Sequence, residues 1–194
     1  MNKIAHENIL PMEVYGKSRL ERRGKISVIK KNRRLHIGPD AVFHFENYDT
    51  IFHQIHEMLW IEKGGASQVD DELLAYNPLI PNGNELVATL MFEIEDPVRR
   101  ATVLAGLGGV ENTVFIGFDG KKSILGQAED DLDRTSASGK ASSVQFLHFE
   151  FSKDQIDIFK NMNTQVTVGI EHKNYGHISV MPPQIRESLC HDFN

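Results

Sequence analysis

Two short segments of the chain carry the same tripeptide, His-Phe-Glu, at residues 44–46 and 148–150. In a β-strand the outer two side chains share one face, while the central phenylalanine points to the other. If the two strands lay side by side, His44, Glu46, His148 and Glu150 would place two imidazoles and two carboxylates on one surface. This composition suits divalent iron, manganese or zinc, and it predicts a metal site. The alternative is a half-solvated face of an antiparallel sheet, where polar residues commonly alternate with apolar ones.

A second group of candidate ligands lies on an amphipathic helix predicted within the stretch from Phe43 to Lys63. His56 and Glu57 follow His53 by three and four residues, so the three side chains can converge on one point. Together with Trp60 they form the polar face of this helix, and His53 or Glu57 could complete the metal's ligands from that side. The alternative is an exposed polar face on which Trp60 packs under a neighbouring loop.

The opposite side of the same helix predicts that it packs on the core. Its apolar residues recur at helical spacing: Ile51, Phe52, Ile55, Met58 and Leu59. Burying five such side chains stabilises the fold by roughly 7–15 kcal/mol as an upper limit. Asp49 or Thr50 is the expected N-cap, and Gly64-Gly65 is expected to end the helix.

The composition is that of an ordinary globular chain of 194 residues, with 40% apolar and 25% charged residues. Its single cysteine, Cys190, excludes an internal disulfide and a cysteine-rich metal site. No apolar run approaches the roughly 20 residues that a bilayer-spanning helix needs. The first ten residues lack the apolar core of a signal peptide, which favours a cytoplasmic location without a membrane partner.

The net charge of −6 conceals a basic arm, predicted to be helical, at about residues 11–34. Residues 17–34 hold nine Lys or Arg and one acid. The whole chain has 21 Lys or Arg and 27 Asp or Glu, so the rest of it holds 12 basic and 26 acidic residues. The cations singled out are Arg19, Arg22, Arg23, Lys30, Lys31, Arg33 and Arg34. Such an arm can bind phosphate or nucleic acid, dock on the chain's own carboxylates, or meet an acidic partner. Nucleic acid is the less favoured target, because only Tyr15 lies nearby for base stacking.

The remaining patterns predict an α+β fold: a mostly antiparallel sheet with helices packed on one face, in a single compact domain. The expected elements are helices at 4–16, 18–31, 67–76, 97–107, 152–162 and 182–193, and strands at 34–37, 41–45, 86–95, 113–118, 121–125, 144–151, 165–172 and 178–181. Gly16 is the expected break between the first two helices, and Ser18 the cap of the second. Residues 127–141 are polar and small, which predicts a long surface loop.

Much of the chain resembles a bacterial family known as domain of unknown function 3501. The resemblance rests on Arg33–Pro39, on Phe45, Glu46, Asn47, Thr50, Gln54, Ile55, Glu57, Met58 and Glu62, on Tyr76, Asn77, Leu79, Ile80, Pro81, Leu86, Ala88, Thr89, Leu90, Glu93, Ile94 and Asp96, and on the late residues His172, Tyr175, Arg186, Leu189 and Asp192. Glu46, Gln54, Glu57 and Glu62 are motif positions in that comparison, whereas His53 and His56 are not. The resemblance therefore shifts the emphasis from the histidines to the carboxylates.

The resemblance also implies a link to redox or iron metabolism, because members of this family are encoded near rubrerythrin-like and iron–sulfur oxidoreductase proteins. On this basis we expect an accessory protein with a redox or iron–sulfur partner, acting through the basic arm and the Glu46, Glu57 and Glu62 face. The alternatives are a metal-binding protein or metal-dependent enzyme, and a phosphate- or nucleic-acid-binding protein. The sequence gives no reaction and no oligomeric state.

Overall fold

The structure is a computed structural model that describes residues 3–129 and 141–194. Its helices are α1 (Met12–Lys31), α2 (Tyr48–Glu62), α3 (Ala66–Tyr76), α4 (Pro97–Ala105), α5 (Lys153–Lys160) and α6 (Pro183–Cys190). Its strands are β1 (Arg34–Ile37), β2 (Ala41–Glu46), β3 (Glu85–Phe92), β4 (Val114–Phe118), β5 (Lys121–Leu125), β6 (Gln127–Ala128), β7 (Val144–Glu150), β8 (Val166–His172) and β9 (Tyr175–Val180). Short 3₁₀ helices lie at His6–Asn8, Asn77–Leu79 and Val110–Thr113.

The strands form two antiparallel sheets. The first has the order β1-β2-β3-β7-β6 and the second has the order β5-β4-β8-β9. Alternate residues of both sheets enter one apolar core, for example Phe43 and Leu90 from the first sheet and Ile116 and Val168 from the second. Helices α4, α5 and α6 add side chains to this core. The predicted α+β class is therefore confirmed.

A second apolar cluster fixes the position of α2 and α3 on the other face of the first sheet. Ile51, Ile55 and Leu59 of α2 pack there with Val69 of α3 and Val87 of β3. The predicted apolar stripe of α2 is therefore its buried side. Helix α1 packs against α2, so the layers run sheet, sheet, α2 with α3, and then α1.

The predicted break between a helix that starts near Pro11 and a second helix at 18–31 is wrong, because α1 is one continuous helix from Met12 to Lys31. Gly16 lies inside it, where a Cβ atom would stand 2.5 Å from the ring of Trp60. Glycine is thus present to admit an aromatic side chain and does not end the helix. Ser18 is likewise no cap, since its hydroxyl donates to the backbone oxygen of Val14 at 3.3 Å.

The ends of α2 also differ from those expected. Asn47 is the N-cap, and its side chain accepts a hydrogen bond from the Thr50 N–H at 3.0 Å. The Thr50 hydroxyl in turn accepts from the Asn47 N–H at 2.9 Å, which completes a capping box. The helix ends at Glu62, and its C-cap Lys63 takes the left-handed conformation itself (φ 55°), one residue before the glycines.

Several shorter predictions are confirmed. The β1–β2 hairpin and the β4–β5 hairpin form as expected, and Ser152 and Gln155 make the predicted capping box of α5. The strand expected at 178–181 is longer and earlier, Tyr175–Val180. Residues 130–140 of the predicted polar loop lie outside the described residues. No described helix is long and apolar enough to cross a membrane.

Candidate functional site

The two His-Phe-Glu segments lie in the same sheet and on the same face, but they are not neighbours. Strand β3 runs between β2 and β7, so that His44 pairs with Thr89, while Glu46 and His148 flank Val87 on opposite sides. The side-by-side arrangement expected from the sequence is therefore wrong. The physical reason is that β3, which is buried on both faces, takes the central position between the two half-polar strands.

Each of these polar side chains has a local partner. His44 Nε2 lies 3.0 Å from Glu93 Oε1, and His148 Nδ1 lies 2.9 Å from Glu85 Oε2. The Glu85 hydrogen bond raises the pKa of His148. Glu46 accepts hydrogen bonds from the hydroxyls of Thr50 and Thr89 at 2.5 and 2.7 Å, and Glu150 is exposed.

Across residues 3–129 and 141–194, no three His, Cys, Asp or Glu side chains converge as a metal ion would require. The iron, manganese or zinc site on these residues stays a prediction, because the described residues do not bring three of its ligands together.

The polar face of α2 is covered by α1. His56 is completely buried, and both ring nitrogens are engaged: Nδ1–H donates to the Phe52 carbonyl at 2.7 Å, and Nε2 accepts from the Leu10 N–H at 3.0 Å. Burial lowers the pKa of His56, which keeps the imidazole neutral. With no free lone pair, His56 fastens the N-terminal segment to α2 and cannot bind a metal in this arrangement.

Glu57 is the centre of the contact between α1 and α2. It accepts a hydrogen bond from the Tyr15 hydroxyl at 2.6 Å and a two-point contact from Arg19, with Nε at 2.8 Å and Nη2 at 2.7 Å. The Arg19 guanidinium lowers the pKa of Glu57 to about 2, and the Tyr15 hydroxyl contributes in the same direction. Burial, together with Glu57, raises the pKa of Tyr15.

Two further side chains complete this contact. His53 Nδ1 stands 3.4 Å from the Tyr15 hydroxyl, and burial lowers the pKa of His53. Trp60 lies under Arg19, whose guanidinium carbon is 5.9 Å from the ring centroid. The predicted polar face of α2 is thus brought together as an internal contact, with all of its members facing α1.

The basic arm divides into an inner and an outer set of cations. Arg33 pairs with Asp192 in a buried ion pair and also donates to the backbone oxygens of Phe45 and Glu46, each at 2.9 Å. Arg34 pairs with Glu93 at 2.5 Å, and Arg19 with Glu57 as above. These three arginines dock on the chain's own carboxylates, which was one of the alternatives left open by the sequence.

In the part of the chain that the structure describes, the other cations of α1 have no carboxylate partner on another element. Arg22 Nε donates to the Ser18 hydroxyl at 2.9 Å, and Lys25 pairs with Glu21 on the same helix at 2.5 Å. Among the described residues, no carboxylate lies within ion-pair distance of Lys17, Arg23, Lys30 or Lys31.

The outer face of α1 also carries apolar side chains. Leu20 is 84% exposed and Val28 is 69% exposed, and both are spaced by four residues from Gly24. Residues spaced by four are neighbours on a helix surface. The three therefore form an apolar ridge, called here the α1 ridge, with Lys17 and Lys31 one turn beyond its two ends.

The sequence interpretation missed the contribution of Tyr15 and Leu10. Tyr15 is buried and donates to Glu57, and Leu10 supplies the N–H that His56 accepts. A signal for Tyr15 was present, because Tyr15, Arg19 and Ile26 share one side of a continuous helix. The predicted break at Gly16 divided this pattern and concealed it.

Comparisons with known proteins agree with this fold. A family model described as "Protein of unknown function (DUF3501)" matches residues 3–193, which confirms the resemblance seen in the sequence. The chain is also similar to a crystal structure described as a novel protein of unknown function from Burkholderia pseudomallei K96243, with 33% identity, a TM-score of 0.90 and coverage of 100% of both chains. No curated protein matches the chain.

Proposed function

The chain belongs to the DUF3501 family of proteins of unknown function, and we propose that it is an accessory interaction protein that docks an acidic protein partner on the α1 ridge. The observation that carries this proposal is the exposure of Leu20 and Val28, 84% and 69%, on a helix where Lys17, Arg23, Lys30 and Lys31 form no ion pair with the described residues. Exposed apolar groups rimmed by charge are typical of protein–protein contacts.

Gly24 supports a close contact at the centre of the ridge. A Cβ atom at this position would meet nothing within 4 Å, so the glycine is not required by packing within the chain. A glycine inside a helix costs about 1 kcal/mol relative to alanine. Because glycine has no side chain, the backbone between Leu20 and Val28 is open to a partner.

Charge determines which partner suits the ridge. Lys17 and Lys31 flank it, and the nearby acid Glu21 is already paired with Lys25 at 2.5 Å. A partner with apolar side chains between carboxylates is complementary to this arrangement. Nucleic acid suits it less well, because apolar side chains occupy the centre and no aromatic ring lies there for base stacking. That the partner is a redox or iron–sulfur protein is supported by the family resemblance alone.

The test places a photo-crosslinking amino acid at position 20 of the full chain, expressed at native level in its host. The matched control is the same substitution at Leu74 of α3, which is also highly exposed, at 79%, but follows the acids Asp70 and Asp71. We expect an adduct with an acidic protein from position 20 and none from position 74. The purified pair should lose affinity as salt increases, and the double variant Lys17→Glu/Lys31→Glu should weaken it roughly tenfold.

Three results would overturn the proposal: equal adducts from both positions, an adduct with a second copy of this chain, or an adduct with nucleic acid. An adduct with a basic or neutral protein would contradict the charge argument. A salt-insensitive complex would contradict it as well.

A further inference from the structure

A pocket of about 600 Å³ lies between the segment that precedes α1, the end of α2 and the start of α3. Its walls include Leu10, Met12, Leu59, Trp60 and Val69, all of them apolar. Pockets of 300–1,000 Å³ with mostly apolar walls are typical of small-molecule sites. The pocket lies on the inner side of the N-terminal end of α1, and it shares no residue with the α1 ridge.

Specific contacts hold the walls of this pocket in place. The backbone of Ile4 exchanges two hydrogen bonds with the Asn77 side chain, at 2.8 and 2.9 Å, and Leu10 donates to the buried His56 at 3.0 Å. Trp60 is fitted against Gly16, where no side chain could be accommodated without a shift. The pocket is therefore preformed, which lowers the conformational cost of binding.

The polar groups of the pocket are unevenly placed. Lys63 lies at the end of α2, and the next elements of the wall are Gly65 and Ala66 at the start of α3. No carboxylate of the described residues forms an ion pair with Lys63. The acid of the pocket, Glu13, lies in the first turn of α1, where it complements the positive end of that helix.

We propose that this pocket binds a small amphipathic carboxylate with an aliphatic or aromatic tail. The tail lies against Leu59, Trp60 and Val69, and the carboxylate lies at residues 63–66, where the Lys63 ammonium supplies the opposite charge. The start of α3 adds to this end of the site, because α3 has no side-chain cap and no acid in its first turn.

Trp60 is the only tryptophan of the chain, so its fluorescence reports directly on this wall. The full chain is titrated with the aliphatic carboxylates hexanoate, octanoate and decanoate. Benzoate and 2-naphthoate test carboxylates with an aromatic tail in the same way. We expect a saturable change in Trp60 emission and a dissociation constant that tightens about fourfold per added methylene. Decanol should bind more weakly than decanoate, and decylammonium more weakly than either. Bound decanoate should also raise the melting temperature.

Two variants localise the site. Ala66→Phe fills the pocket from an exposed helix position and should abolish the fluorescence response, while Ala75→Phe, also exposed on α3 but not in the wall, should leave it unchanged. Lys63→Asn removes the charge with a residue that tolerates the left-handed backbone, and it should equalise the affinities for decanoate and decanol. This second variant keeps the proposal testable if Ala66→Phe fails to fold.

The proposal is overturned if no carboxylate changes Trp60 emission, or if decylammonium binds as tightly as decanoate. It is also overturned if Ala66→Phe and Ala75→Phe respond alike. None of these results bears on the crosslinking experiment at Leu20, so failure of this site and failure of partner docking can be distinguished.

Discussion

Replacing Glu57 by glutamine removes one charge from the contact between α1 and α2 and keeps the side-chain size. In the native chain the carboxylate holds Tyr15 at 2.6 Å and both Arg19 nitrogens at 2.8 and 2.7 Å. A carboxyl pKa lowered from 4.5 to about 2 corresponds to about 3 kcal/mol in favour of the charged form. This is an upper limit, because Arg19 is 28% exposed and solvent screens the pair.

We therefore expect Glu57→Gln to lower the free energy of unfolding by about 1–3 kcal/mol at pH 7. For a chain of this length that loss corresponds to a fall in melting temperature of roughly 2–12 °C. The matched control is Glu150→Gln on β7, where the glutamate is exposed, and its effect should stay within about 0.5 kcal/mol.

The pH dependence of the stability difference between the native chain and Glu57→Gln shows whether the lost charge causes it. A carboxyl group whose pKa is lower in the folded state stabilises the fold above its unfolded value, and this stabilisation is lost as the pH falls from about 4.5 towards 2. Glutamine does not titrate. The difference between the two proteins in urea unfolding should be constant from pH 8 to 5.5 and shrink below about pH 4.5. A difference that is absent at pH 7, or that persists unchanged at pH 3.5, would refute this reasoning.

Three further predictions concern His56 of α2, two glycines of α1, and Arg33, which precedes β1. Burial lowers the pKa of His56 below 6.5, so the unfolded chain takes up this proton first as the pH falls, and the contribution of His56 to stability declines below about pH 6.5; His56→Phe should remove this contribution to the slope in urea unfolding between pH 7 and 5. Gly16→Ala should destabilise the fold by about 1–3 kcal/mol and change Trp60 emission, because the new methyl overlaps the ring, whereas Gly24→Ala, with open space around it, should stabilise the fold by up to about 1 kcal/mol in thermal unfolding. Arg33→Met should cost about 3–5 kcal/mol in urea unfolding, because it leaves the buried carboxylate of this ion pair without a partner, and a loss below 1 kcal/mol would contradict that reading.

Local patterns determined most of the elements that the sequence predicted correctly. The α2 stripe is an example: Ile51, Ile55 and Leu59 repeat at helical spacing, and the structure buries them. The Ser152–Gln155 capping box is another, because both of its hydrogen bonds join residues three apart. Such signals are complete within one turn, so no knowledge of the rest of the chain is needed.

The candidate site could not be predicted in the same way, because its geometry depends on which elements are neighbours. The identical tripeptides at 44–46 and 148–150 gave no sign that β3 would separate them. Gly16 has the local signature of a helix end, yet glycine is needed there because the Trp60 ring, 44 residues away, occupies the space of a side chain. His56 and Glu57 looked like free ligands for the same reason, since their partners lie on the N-terminal segment and α1.

The position of α1 connects the two proposals. Its outer side carries the α1 ridge, and its first turn supplies Met12 and Glu13 to the pocket wall. The pocket depends on the contact of Tyr15 and Arg19 with Glu57, because this contact holds α1 on α2. If Glu57→Gln loosens α1, decanoate affinity should fall and Trp60 should become more exposed, while crosslinking at Leu20 continues, because the ridge is contained within α1 itself. If Glu57→Gln abolishes both crosslinking at Leu20 and decanoate binding, the partner also requires the surface formed between α1 and α2.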